Sequence, residues 1–109
     1  MTIEDTDKID FVTISDGEVL LTISDHLSWD VQSRHLLLLQ EKLNAYLRFT
    51  ESGELGRKYP EAIECPIVFN IVAKFEPSDA AVAFLAKAKE AIDAAGFDLR
   101  LTVKRPPLN

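Results

Sequence analysis

The sequence predicts an α+β fold: a two-layer α/β sandwich in the order β-β-α-β-α-β, with a four-stranded mixed or antiparallel sheet and two helices on one face. Three observations carry this. "DFVTISDGEVLLTIS" alternates apolar and polar residues about a turn, two segments repeat apolar residues at helical spacing, and "IVFNIVAKF" and "FDLRLTVK" return to a period of two. Two helices for four alternating strands leave one sheet face uncovered.

The first element is a hairpin. Asp16-Gly17 is the pair favoured in a two-residue type I′ turn, and that turn dictates the register: Ser15 faces Glu18, Ile14 Val19, Thr13 Leu20, Val12 Leu21 and Phe11 Thr22. Alternation then puts Val12, Ile14, Val19, Leu21 and Ile23 toward the core, with Phe11, Thr13, Leu20 and Thr22 on the other side. A long helix follows. Ser28 is the expected N-cap, Asp30 suits the first turn, and Gly53 is the stop. At 100° per residue, Trp29, Leu36, Leu39, Leu43, Tyr46 and Leu47 form one apolar stripe and Val31, Leu38, Ala45 and Phe49 a second beside it. Leu37 stands alone among Asp30, Arg34, Glu41 and Arg48 on the polar side.

"GELGRKYPEAIEC" reads as irregular chain or a short turn of helix, ending at Pro66, a residue suited to a strand start. In the third strand Ile67, Phe69, Ile71, Ala73 and Phe75 point inward and Val68, Asn70, Val72 and Lys74 outward; its apolar character makes it central. Ser78 caps a second helix, Asp79 to Ala95, and Gly96 occupies the left-handed position after it. Its buried stripe is Val82, Leu85, Ala88 and Ile92, flanked by Ala81, Phe84, Ala91 and Ala95. The last strand sets Phe97, Leu99, Leu101 and Val103 inward, with Asp98, Arg100, Thr102 and Lys104 outward. The second helix should connect parallel strands, whereas residues 53–65 are long enough for the third strand to run either way.

A chain of 109 residues, 47% hydrophobic and 28% charged, suits one domain with one core. Residues 1–8 read as a flexible acidic arm, 9–104 as a single α/β domain and 105–109 as a C-terminal tail. Net charge is −6, and residues 1–30 hold eight acids against one base. Acidity repels phosphate backbones, so nucleic acid is not an expected partner; the acidic surface suits either a basic protein or plain solvation. The acidic N-terminus lacks the regions of a signal peptide, and no stretch approaches the roughly 18 apolar residues of a membrane span. A cytoplasmic protein without membrane contact is expected.

No catalytic, metal or cofactor motif emerges. Cys65 is the one cysteine, without a histidine near it in sequence. Four glycines build no phosphate loop. The densest chemical segment is "SDHLSWDVQSRH", with Asp25, His26 and His35. With Ser28 as cap, His35 sits about 10 Å along the helix at 1.5 Å per residue, so these groups do not converge unless the loop folds back. His35 is expected at the edge of the apolar arc as a hydrogen-bonded core residue, and Trp29 as a packing anchor at the sheet end. A second feature is a surface. Phe11, Leu20, Val68 and Val72 all project to the uncovered face, rimmed by Thr13, Asp16, Glu18, Thr22 and Asn70, and apolar patches of this kind mark contact sites.

"LTISDHLSWD", "HLLLLQEKLNAYLRFTESGEL" and "YPEAIECPIVFNIVAKFEPS" resemble a family of small bacterial proteins known only as a domain of unknown function, over about Ile9 to Val103. The resemblance implies a bacterial single-domain protein and brings no catalytic residues. The expected function is therefore a non-enzymatic protein-interaction domain. A toxin-neutralising, immunity-like protein masking a basic effector is its specific form, and a homodimer its self-associating form. The alternative is a small enzyme or metal-binding protein using Asp25, His26 and His35.

Overall fold

The computed structural model describes residues 11–26, 29, 34–62 and 64–104. Phe11–Ser15 (β1) and Glu18–Asp25 (β2) form the hairpin, followed by the long helix Arg34–Glu51 (α1) and the short helix Glu54–Lys58 (α2). A 3₁₀ turn at Pro60–Ala62 leads to Ile67–Ala73 (β3), the helix Asp79–Ala94 (α3) and Asp98–Val103 (β4). The strands lie in the order β1-β2-β3-β4. β1 pairs antiparallel with β2, while β2–β3 and β3–β4 are parallel. The sheet is therefore mixed, and the chain between β2 and β3 is a crossover rather than a second hairpin.

The hairpin has the register that its turn dictates, from Phe11↔Thr22 to Ser15↔Glu18. Asp16 (φ 53°) and Gly17 (φ 77°) both take the left-handed conformation a type I′ turn requires. At α3, Ser78 accepts a hydrogen bond from the Ala81 N–H at 3.2 Å. Gly96 ends that helix at φ 94°.

The core lies between one sheet face and the helices. Val19, Leu21, Ile23, Phe69 and Ile71 are fully buried from the sheet, and Leu39, Leu43, Tyr46, Phe49 and Ile92 meet them from α1 and α3. Each such side chain stabilises by about 2 kcal/mol over its exposed state. Tyr46 packs edge-on against Phe69, at 6.0 Å between ring centres, and its hydroxyl donates to the Thr22 carbonyl at 2.6 Å, so the ring is buried with its polar end satisfied.

Four core expectations need correction. Ile14 points inward but is 37% exposed, because β1 is an edge strand with a neighbour on one side only. Phe75 is 42% exposed because β3 ends at Ala73, so the alternation no longer directs it inward. Val82 is 52% exposed, because the buried line of α3 runs through Ala81, Leu85, Ala88 and Ile92 and leaves Val82 about 100° to one side. On α1 the buried face centres on His35, Leu39, Lys42 and Tyr46 rather than on Leu36, which is only half-buried. Leu37, 56% exposed, does stand on the polar side. The Ser28 cap lies outside the described residues; α1 is described from Arg34, and Trp29 itself is not helical.

Candidate functional site

Two places merit a chemical reading: the carboxyl end of β2 and the sheet face that the helices leave uncovered. At the first, alternation along β2 turns Asp25 inward as the strand ends, beside Ala73 of β3, whose small side chain leaves room there. His35 occupies the first turn of α1 on its buried face and reaches that spot. Its Nε2 shares a hydrogen bond with Asp25 Oδ2, 2.5 Å between the two atoms. Trp29 lies flat on the imidazole, 3.8 Å between ring centres and 12° between planes, and its Nε1 donates to the Phe75 carbonyl at 3.0 Å. Three segments, the end of β2, the start of α1 and the chain leaving β3, are thus tied at one point.

The sequence places Asp25 and His35 apart; the structure brings them together, ten residues apart in the chain, at the end of β2. An imidazole held by a carboxylate is also the arrangement that orients a catalytic base. Here Asp25 is 2% and His35 3% exposed, with an indole stacked over the ring. His26 is exposed beyond the strand end. Among the described residues no three histidines, cysteines or carboxylates gather as a metal site would need. Cys65 is half-buried, with Sγ donating to the Glu61 carbonyl at 3.4 Å.

A residue that sequence reasoning missed is Lys42. It is fully buried on the central line of α1, with Nζ 5.8 Å from the centre of the Tyr46 ring. Its position one turn before Tyr46 on the apolar face was the available signal, since lysine buries its stem readily.

On the uncovered face the register puts side chains in rows. Thr13, Leu20, Val68 and Asp98 form one row, Phe11, Thr22, Asn70 and Arg100 the next, and Ser24, Val72 and Thr102 the third. Phe11 is 50% exposed, Thr13 and Asp16 are exposed, and Leu20 and Val72 are half-buried. Val68 projects to this face yet is only 1% exposed. The cause is a bridge between strands that are not neighbours: Arg100 Nη2 donates to Glu18 Oε2 at 2.8 Å and Nη1 to Oε1 at 3.3 Å, spanning β3 at the level of Val68. Arg100 Nε also donates to Asp98 Oδ2 at 3.1 Å, and Lys89 of α3 to Asp98 Oδ1 at 2.8 Å. This chain of charges holds the Asp98 carboxyl below its ordinary range, chiefly through Lys89, and raises Lys89 chiefly through Asp98. Glu18 raises Arg100. Glu18 is therefore engaged within the molecule, whereas Asp16 at the turn is exposed.

No helix among the described residues is long and apolar enough to cross a membrane. A family profile described as "Family of unknown function (DUF6572)" matches residues 1–105. No curated protein and no solved structure gives a significant match.

Proposed function

We propose, on the premise that this chain belongs to DUF6572, a family of unknown function, that it is a non-enzymatic protein-binding domain whose uncovered sheet face is the contact surface. The observation that carries this reading is Phe11, half exposed on that face beside half-buried Leu20, with the exposed Asp16 at the end of the same hairpin. An exposed aromatic at the rim of a polar-edged sheet is the side chain that most often anchors an interface. Phe11, Thr13, Leu20 and Val72 offer the apolar and neutral contact, while Asp16 favours a partner with basic residues. Val68 and Glu18 support the surface from beneath and beside it. The closed Asp25–His35 pair holds the fold together and takes no part in binding. In its specific form the protein works in the bacterial cytoplasm as an immunity-like mask for a basic effector; this rests on the acidity of residues 1–30 and is analogy in kind.

Affinity capture from the source organism's lysate tests the reading. The expected result is a basic protein retained in stoichiometric amount by the wild type, lost with Phe11→Asp and weakened with Asp16→Asn, while both variants keep the thermal midpoint of the parent. Equal capture by all three proteins would remove this face from consideration.

A further inference from the structure

At the opposite edge of the sheet from Phe11, β4 bears a pattern that matches itself. Among the described residues β4 pairs only with β3, and its other side carries no strand. The Lys104 N–H donates to the Ala73 carbonyl at 2.7 Å. In a parallel strand the backbone groups of alternate residues turn to the same side, so Leu99, Leu101 and Val103 turn theirs away from β3, the Leu99 N–H donating there to Asp98 Oδ1 at 2.9 Å. Laid antiparallel on a second copy about Leu101, the strand sets Leu101 against Leu101, Leu99 against Val103, Arg100 against Thr102 and Asp98 against Lys104. Opposite charges meet at both ends, and no like charges face each other. The backbone groups that point outward are those a hydrogen-bonded antiparallel pair needs at Leu101. Pairing Leu99 with Val103 also requires the Leu99 N–H to exchange its bond to Asp98 Oδ1 for one to the second copy.

The flank of α3 continues this edge. A groove of about 340 Å³ lies between α3 and β4, lined mainly by Val82, Leu85, Ala86, Leu99 and Leu101. Its rim is Val82, the residue that helical spacing assigns to the core and that is 52% exposed. Pairing two sheets at β4 brings their edge helices side by side at the roughly 10 Å at which helices pack. We propose that the chain forms a two-fold homodimer in which β4 pairs antiparallel with β4 of a second copy and the α3 helices close over the grooves, Val82 being covered by the partner. A self-complementary patch is what a two-fold axis demands. The edge at β1 lacks this property, since Phe11–Ser15 carries no charge to select a register. The dimer leaves the face around Phe11 open, so it is independent of the function proposed above.

Sedimentation velocity of the full chain, at concentrations up to about 100 µM, tests this. The expected result is a monomer–dimer equilibrium. Lys104→Glu, which faces Asp98 with a second carboxylate at both ends, should raise the dissociation constant about tenfold or more. The reciprocal exchange Asp98→Lys with Lys104→Glu should recover most of that loss. Val82→Glu should abolish the dimer with an unchanged circular dichroism spectrum, and Phe11→Asp should leave it intact. A wild type that stays monomeric throughout overturns the proposal. So does a dimer indifferent to Val82→Glu and Lys104→Glu, or one abolished by Phe11→Asp. Should the double exchange fail to fold, Val82→Glu and Lys104→Glu decide the matter between them.

Discussion

The Asp25–His35 pair and the Glu18–Arg100–Asp98–Lys89 chain use the same kinds of groups at similar distances, yet one is dry and the other wet. Both side chains of the first pair are almost wholly buried, and an indole closes it. In the second, side-chain exposure runs from 33% at Glu18 to 51% at Lys89. The difference teaches where a polar contact is decisive. A buried partner left alone keeps its full desolvation penalty, whereas an exposed one turns to water. The dry pair therefore holds the end of β2 against α1, and the wet chain shapes a surface.

Cutting the dry pair should have the largest effect. His35→Ala removes a hydrogen bond from a buried carboxyl group and opens a cavity beside Trp29, and should lower unfolding free energy by about 3 kcal/mol, read from a urea titration. Asp25→Ala should match it, and the double variant should cost clearly less than the two single losses together. Additive losses would mean the contact contributes little and the closing comparison fails. Next comes Trp29→Phe, which keeps a ring over His35 but removes the hydrogen bond to Phe75; a loss of about 1 kcal/mol in the same titration is expected.

The wet chain should be nearly silent. Arg100→Ala should leave the urea midpoint close to that of the wild type, with the readable change being increased accessibility of Val68 to solvent in methyl relaxation measurements. The pH dependence should be smaller still. Asp98 is held below its reference of 3.8, so its contribution is present above that pH and drains as pH falls through the folded value. Lys89 is raised above its reference of 10.5, so its share is complete below that pH and is lost as pH climbs through the folded value. Stability between these limits should be flat with respect to this chain, and added salt should weaken it at any pH. A large salt response in the Arg100→Ala comparison would make the wet chain a structural strut and erase the contrast.

The parts of the fold legible in the sequence are those decided locally. Asp16-Gly17 forces a two-residue turn, and once it is in place every pair from Phe11 to Thr22 follows. Ser78 and Gly96 mark α3 by chemistry confined to a few residues. The direction of β3 was not legible, because residues 53–65 have length enough for either course and only packing of α1 on the sheet selects the parallel one. The contact between Asp25 and His35 joins a strand end to a helix ten residues on, and no local pattern fixes how the chain between them turns back. Val82 and Ile92 look alike at helical spacing; which of them is covered depends on how α3 tilts over β4, information held by neither residue. The bridge that covers Val68 joins residues 82 positions apart, beyond any local pattern.

Lys42 gives the molecule a built-in clock. Lys58, Lys74, Lys87, Lys89 and Lys104 are exposed, whereas the Lys42 side chain has no solvent contact. An amine-reactive reagent will acylate the exposed lysines at once and reach Lys42 only when α1 lifts from the sheet. Peptide mass spectrometry would then read two populations on one chain: a rapid baseline, and a slow site whose rate follows the equilibrium between closed and open forms while reclosing outpaces the reagent. The core thus reports the population of its own open form under native conditions, with no denaturant.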